Sequence, residues 1–398
     1  MFSPLEGVRV IYLTTSVAGP YCTLILGALG ADTVKLEHPE RGDDARGWGP
    51  PFWNDESALF LALNANKRSL AVDVKSSAGR DIVLRLVEGA DVFVQNLRPG
   101  LAEALGLGFE ALRERNPRIV YCSIGAFGSV GPLAHQPGYD PLMQAFGGIM
   151  SVTGEPGRPP VRAGVSVVDQ GVGMWAVIAI VLALSRRDAD GGAQRLDTSL
   201  FETAVNWLPY QIAGYLATGR APKPLGSALG IVAPYQAFAV RDGTLMIAAA
   251  TDRQFADLCR ALELPELPED SRFRTNRDRA RHREELAALI AERLRDEDAA
   301  TWLERLDEAR VPGAPVQDIA QAVEHEQTKA LGMLQPLPHP SVPDLRLVAF
   351  PLSFDGARVE HRTPAPALGE HSAEILAEAG YAREEIEALA KSGVVRIP

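Results

Sequence analysis

The chain has 398 residues, enough for two or three domains at roughly 100–200 residues each. Hydrophobic residues make up 46% and charged residues 23%, values that exclude a disordered chain. With 40 basic against 51 acidic side chains the net charge is −11, which excludes general attraction to nucleic-acid phosphates as the working hypothesis.

Residues 7–13 (GVRVIYL) predict a short buried strand. A helix follows from about Pro20, ended by glycines, and TVKLEH (33–38) predicts the next strand. That spacing suits a βαβ unit. A long loop over 39–56 carries Arg41 and Arg46, and long loops in compact domains are often functional. RSLAVDV (68–74) predicts a strand, and 77–89 an amphipathic helix with Ile82, Val83, Leu86 and Val87 on one side. DVFVQNL (91–97) and RIVYCSI (118–124) predict two more strands.

The alternation argues for an open, mostly parallel sheet with helices on both faces, whose ligands bind beyond the strands' carboxyl ends. Segments 16–19, 38–47, Lys75, 96–100 and 125–131 lie there. The longest apolar run, 172–184, is too short for a bilayer and predicts a buried core helix near the middle of the chain. A second helix is expected near 199–218, closing a first domain over 1–218. A linker over 219–230 precedes a small α+β domain over 231–325, which opens with a hairpin turning at Asp242-Gly243. The tail, 326–398, carries a strand (LRLVAFPLSF) and two short helices after Gly369.

Cys22, Cys122 and Cys259 are far apart and form no CxxC, which argues against a disulfide scaffold or cysteine-rich zinc site and for a reducing cytoplasm. There is no HExxH, so no metal is expected. The opening MFSPLEGVRVIYL lacks a basic segment and a long apolar stretch, so no signal peptide is expected. Neither GxxxxGK[ST] nor a strand-to-helix GxGxxG is present; Gly106 and Gly108 follow a helix and suit a turn.

Arg98, Lys75, Arg41 and Arg46 would form a basic rim at the sheet's carboxyl edge, attracting a phosphate-bearing carrier such as coenzyme A. The plainer alternative is four solvated surface cations. Asp169 stands at the start of the apolar helix, where Asp is a common N-cap. The same position would keep a nucleophilic carboxylate ionised, with Gly171 and Gly173 leaving the backbone open to substrate and to oxyanion donors. Asp140, before Pro141, suits a turn or cap, or a second carboxylate of different protonation in the same cleft.

Ten collinear segments resemble the class III CoA-transferase family, the formyl-CoA transferase-like group that also holds 2-methylacyl-CoA racemases. Among them are AGPYCTLILGALGADTVKLEHPERGDDARGWGPPF (18–52), NLRPG (96–100), GYDPLMQAFGGIMSVTG (138–154) and PPVRAGVSVVDQGVGM (159–174). The resemblance implies a large Rossmann-like domain built from both chain ends, a smaller α+β domain, and two subunits interlocked as a homodimer. It implies Asp169 as catalytic nucleophile and Asp140 as a second acidic catalytic position. Coenzyme A contacts would fall on Val17, Ala18, His38, Val72, Lys75, Asn96, Leu97 and Arg98, with Arg41 and Tyr139 added to that set. A CoA thioester is then the substrate, and no tightly bound cofactor, nucleic acid or membrane is expected.

Five departures bear on substrate choice. His38 and Ala104 stand at arginine positions, Val17 at a glutamine position, Leu229 at a frequent histidine position and Ala250-Thr251 at a frequent Gly-Asn. The expected function is transfer of CoA from an acyl-CoA such as succinyl-CoA to a carboxylic acid, preferably a small dicarboxylate, through aspartyl anhydride and thioester intermediates. Transfer between two carboxyls of one diacid remains open. A racemase needs a base on each face of the α-carbon. Where the family's racemases have a His-Asp pair, Tyr139-Asp140 stands here, and a phenol, with an ordinary pKa of about 10, is a poor base. A catalytically dead CoA-binding homologue is the third alternative, and the retained Asp169 argues against it.

Overall fold

A computed structural model describes residues 3–398; Met1 and Phe2, the start of the segment read for a leader, lie outside the described residues. Apolar, β-branched runs form the buried strands β1 (Arg9–Leu13), β2 (Asp32–Glu37), β3 (Arg68–Val72), β4 (Val92–Gln95) and β5 (Val120–Gly125). A sixth strand, β6 (Gln194–Ser199, QRLDTS), alternates exposed and half-buried residues, and the sequence reading did not anticipate it. These six are parallel, in the order β3-β2-β1-β4-β5-β6. The strand Val395–Arg396 adds antiparallel to β3, so the sheet is mostly parallel and the chain's last residues complete its edge.

Helix α1 (Ala18–Ala28) follows β1 directly. Helix α2 (Ser77–Glu88) buries Ile82, Val83, Leu86 and Val87, the side its spacing predicted. They join Ile11, Leu36, Leu70, Phe93 and Tyr121 in one core, with Ile375 and Leu376 arriving from the helix Ser372–Glu378 near the C-terminus. At about 25 cal/mol per Å2 of apolar surface removed from water, such a core is the main favourable term holding the sheet.

Short α3 (Asp140–Phe146) precedes the long α4 (Val167–Asp190), and α5 (Leu200–Asn206) follows β6. The helix expected near 199–218 is thus two helices, α5 and Pro209–Thr218. The break falls where proline at 209 leaves no backbone N–H to continue the ladder. α4 outruns the 13-residue apolar stretch. Over Val167–Arg187 it is long and apolar enough to cross a membrane by length and composition alone. Val168, Val172, Ala176, Ile180 and Ala183 are buried, while Met174, Trp175, Ile178 and Leu182 form an exposed stripe.

Two compact units emerge, one of residues up to 149, 162–212 and 327–398, the other of 150–161 and 213–326. The second therefore takes in 150–161, which the sequence reading had placed with the first domain. It holds the expected hairpin, β7 (Tyr235–Val240) and β8 (Gly243–Ala248), joined by β9 (Gly313–Pro315). Its own core includes Phe238, Leu245, Phe255, Leu258 and Trp302.

Candidate active site

Reversal of strand order between β1 and β4 creates a crevice beyond their carboxyl ends, the general ligand position in such sheets. Thr15 follows β1 and Asn96 follows β4, and they face each other there. The Asn96 amide accepts from the Thr15 N–H at 3.2 Å and donates to the Thr15 carbonyl at 3.0 Å. The Asn96 side chain, expected as a contact to coenzyme A, thus also shapes the turn before α1. Val17 and Ala18 end that turn; both are buried, and the Val17 side chain makes no cap to α1.

His38, Arg41, Val72 and Lys75 line one cavity of about 210 Å3 beyond β1, β2 and β3. His38 Nδ1 accepts from the backbone N–H of Glu40 and Arg41 at 3.2 and 3.4 Å, which leaves Nε2 as its free ring nitrogen. Arg41 and Lys75 are exposed. Arg46 does not belong to this rim. Its guanidinium grips buried Glu37 through two bonds of 2.8 Å and donates to the Pro366 carbonyl. Burial would push the Glu37 carboxyl up, but Arg46, Lys35 and Ser69 together hold it below the usual range.

Leu97 and Arg98 line a second cavity, about 120 Å3, beyond β4, β5 and β6. Buried Tyr121 stands in its wall with a hydroxyl that has no hydrogen-bond partner, and burial raises that phenol's pKa. Ala104 is exposed at the end of the short helix Leu101–Ala104 and supplies no cation. Among the described residues no cluster of His, Cys, Asp and Glu is arranged to hold a metal.

Asp169 is the third residue of α4, not its cap. Ser166 occupies the N-cap without a side-chain bond. The cap is supplied from 28 residues upstream: Asp140 Oδ2 accepts the N–H of Val168 at 2.7 Å and of Asp169 at 3.2 Å. Asp140 is 2% exposed. Its Oδ1 accepts from Gln144 Nε2 at 2.6 Å, and Gln144 Oε1 accepts from the Ala163 N–H at 2.8 Å. Both carboxylates therefore share one corner, as the two-carboxylate expectation required.

Their electrostatics differ from that expectation. The helix N-terminus was expected to keep Asp169 ionised. Burial, followed by the Asp140 charge, instead pushes the Asp169 carboxyl up to about 7. Since Asp140 already occupies the first amides of α4, those donors are not free for an oxyanion.

Gly171 and Gly173 are packing glycines and do not open the backbone to substrate. A Cβ on Gly171 would sit 2.7 Å from the Trp207 ring and 2.9 Å from Thr203. A Cβ on Gly173 would sit 2.9 Å from the Ala18 carbonyl and 3.1 Å from Tyr21. The missing side chain at 173 lets α1 lie against α4, which brings Ala18 to the helix that carries Asp169. Tyr139 is exposed, and it is not among the residues lining the cavity of about 480 Å3 formed by Phe127, Leu142 and Phe146. In the second unit, Thr251 caps the helix Asp252–Ala261 in a capping box with Gln254, and the Leu229 N–H bonds Tyr235.

Lys35, Asp43 and Gln144 organise these turns and went unnoticed in the sequence. The signals were present: a lysine between Val34 and Leu36 inside a predicted buried strand, and a glutamine four residues after Asp140, one helical turn away.

Known proteins agree with this architecture over nearly the whole chain. Residues 5–372 match the family described as CoA-transferase family III. A succinyl-CoA:glutarate CoA-transferase of Mus musculus is 39% identical over 98% of this chain and 90% of its own length. A succinate–glutarate CoA-transferase of Agrobacterium fabrum is 37% identical over 94% and 95%. The crystal structure of a CAIB/BAIF family protein from Brucella suis, 39% identical, superposes with a TM-score of 0.85 over 95% of this chain and 100% of that one. By sequence and by fold, the chain belongs to CoA-transferase family III.

Proposed function

We propose that this enzyme moves coenzyme A from succinyl-CoA, or a similar thioester, to a small dicarboxylate, with Asp169 as the nucleophile. The observation that carries the reading is the Asp169 carboxyl itself, held in the first turn of α4 and pushed up to about 7. A more basic carboxylate is a stronger nucleophile once ionised, and functional carboxylates are commonly tuned this way. The names of the relatives support the substrate class.

Asp169 attacks the thioester carbonyl; the C–S bond breaks, giving a mixed anhydride and CoA thiolate. The thiolate attacks the aspartyl carbonyl, releasing the donor acid and leaving an aspartyl-CoA thioester. The acceptor carboxylate attacks that thioester, forming a second anhydride and freeing the thiolate again. The thiolate takes the acceptor's acyl group and Asp169 returns as carboxylate. This is covalent catalysis that splits one hard exchange into easier steps. Asp140 and Gln144 are positioning residues that fix the turn carrying Asp169. With the first amides of α4 taken, the uncapped N-terminus of α1 is the source of N–H donors for each oxyanion. Arg41, Lys75 and Arg98 attract the phosphates of coenzyme A, and Val17 and Ala18 face its thioester end.

Two copies interlock as a homodimer in this reading, supported by the exposed stripe Met174, Trp175, Ile178 and Leu182, which a second copy would cover. A cytoplasmic location is supported by three free, buried cysteines. Incubation with succinyl-CoA and a panel of dicarboxylic acids, followed by mass spectrometry of the CoA products, tests the function. Transfer to at least one diacid is expected. Exchange of the α-hydrogen of a 2-methylacyl-CoA with solvent deuterium, without any transfer, would establish the racemase instead.

A further inference from the structure

Lys35 and Asp43 form an ion pair of 2.7 Å whose two side chains are both 0% exposed. Burying two charges costs several kcal/mol unless their remaining donors and acceptors are also satisfied. Here they are satisfied by one turn. Lys35 Nζ donates to the Thr14 carbonyl at 3.1 Å and stands 5.0 Å from the centre of the Tyr12 ring. Asp43 Oδ1 accepts the N–H of Ser16 at 3.3 Å and of Ala45 at 3.0 Å. The Asp43 N–H is in turn held by Glu37 at 3.1 Å.

Ser16 has a φ of +70°, a left-handed conformation that costs a non-glycine residue energy unless its surroundings impose it. The surroundings do impose it. Asn96 grips Thr15 on both sides and Asp43 grips Ser16. The next two residues, Val17 and Ala18, begin α1. A strained turn fixed from several directions, directly before a ligand-facing helix terminus, is a pre-organised binding element, and ordering it in advance saves that entropy on binding.

We propose that the buried Lys35–Asp43 pair is the positioning device of the acyl-CoA site, holding the 14–17 turn through the Ser16 amide so that Val17 and Ala18 meet the thioester in a fixed geometry. The inference rests on the placement of coenzyme A given under Proposed function. It assigns to Lys35 and Asp43 a role in substrate affinity through the turn, without contact to substrate. Lys35 lies in β2 and Asp43 in the loop that follows, two residues after Arg41, and that loop lines the cavity with His38 while both side chains of the pair stay fully buried, so one pair ties the 14–17 turn to a wall of the crevice.

Two double variants separate the hydrogen bond from the charge. Lys35→Met/Asp43→Asn and Lys35→Met/Asp43→Leu are both neutral, but only the first keeps an oxygen that accepts from Ser16. The expected result is a KM for succinyl-CoA within about threefold of wild type for the Asn form and raised about tenfold or more for the Leu form, the scale of one lost hydrogen bond, with kcat little changed in both. Equal KM values in two folded variants would overturn the proposal. Should the Leu form fail to fold, amide exchange in the wild type decides. The Ser16 N–H must exchange as slowly as the core strands, and exchange at the rate of an open loop would overturn the proposal. Ala18→Val in parallel reports on the underlying placement: an unchanged KM there would show that coenzyme A lies elsewhere, whatever the pair does to the turn.

Discussion

The Asp140 carboxylate accepts the backbone N–H of Asp169 at 3.2 Å while its charge opposes ionisation of the Asp169 side chain. One residue therefore fixes the backbone of the proposed nucleophile and adds to the burial that raises its basicity. The attacking form is the carboxylate, so kcat/KM for succinyl-CoA should climb with pH through about 7 and flatten above. Asp140→Asn keeps an acceptor oxygen for the α4 amides but removes the repelling charge. Its acid limb should move to lower pH, and burial should keep it from returning fully to the ordinary carboxylate range. An unshifted limb would show that Asp140 acts only as a cap.

The same pKa shift has a sign for stability. Asp169 ionises at about 7 in the folded chain against an ordinary 3.8. Its protonated form is therefore favoured by folding. The resulting stability is fully present below about pH 4, declines as pH rises, and is gone above about pH 7. Asp169→Asn removes the titration. It should unfold harder than wild type at pH 8, by up to about 4 kcal/mol, and should lose that advantage near pH 4. Denaturant titrations at the two pH values check this, and a gap independent of pH would contradict it.

Gly173 is where α1 and α4 touch. Gly173→Ala should destabilise the protein by about 1–3 kcal/mol, since the new methyl meets the Ala18 backbone carbonyl, which cannot move independently of α1. It should also lower kcat by separating Ala18 from Asp169. Gly89→Ala is the control, because a Cβ there meets nothing within 4 Å. Equal denaturation midpoints for the two variants would refute the close-packing account.

Arg41→Gln, Lys75→Gln and Arg98→Gln should each raise KM for succinyl-CoA about threefold to tenfold, the effect fading at high salt, because exposed cations are screened. Arg46→Gln should behave differently. It strands buried Glu37, so its loss should appear as a lower melting temperature rather than a salt-dependent KM. A KM defect for Arg46→Gln equal to the other three would return it to the rim.

Much of the sheet was legible because buried parallel strands read as apolar runs, as in GVRVIYL and DVFVQNL. β6 was not, because QRLDTS is polar and half-exposed at the sheet edge. The carboxyl-edge segments were legible from topology, and Asp169 from its segment. What each side chain does there was less so. Asn96 is committed to Thr15, Arg46 to Glu37 and Asp140 to the amides of α4. Those partners lie 81, 9 and 28 residues away, and no local pattern encodes them. Gly171 and Gly173 misled for the same reason: what each one faces lies on another helix or at its end.

In the proposed mechanism Asp169 itself carries the acyl group and then coenzyme A. Borohydride or hydroxylamine added during turnover of succinyl-CoA with an accepting diacid, followed by peptide mass spectrometry, tests it directly. Modification of Asp169, dependent on substrate and absent from Asp169→Asn, is the predicted result. Modification at another residue, or none while product accumulates, would contradict the account.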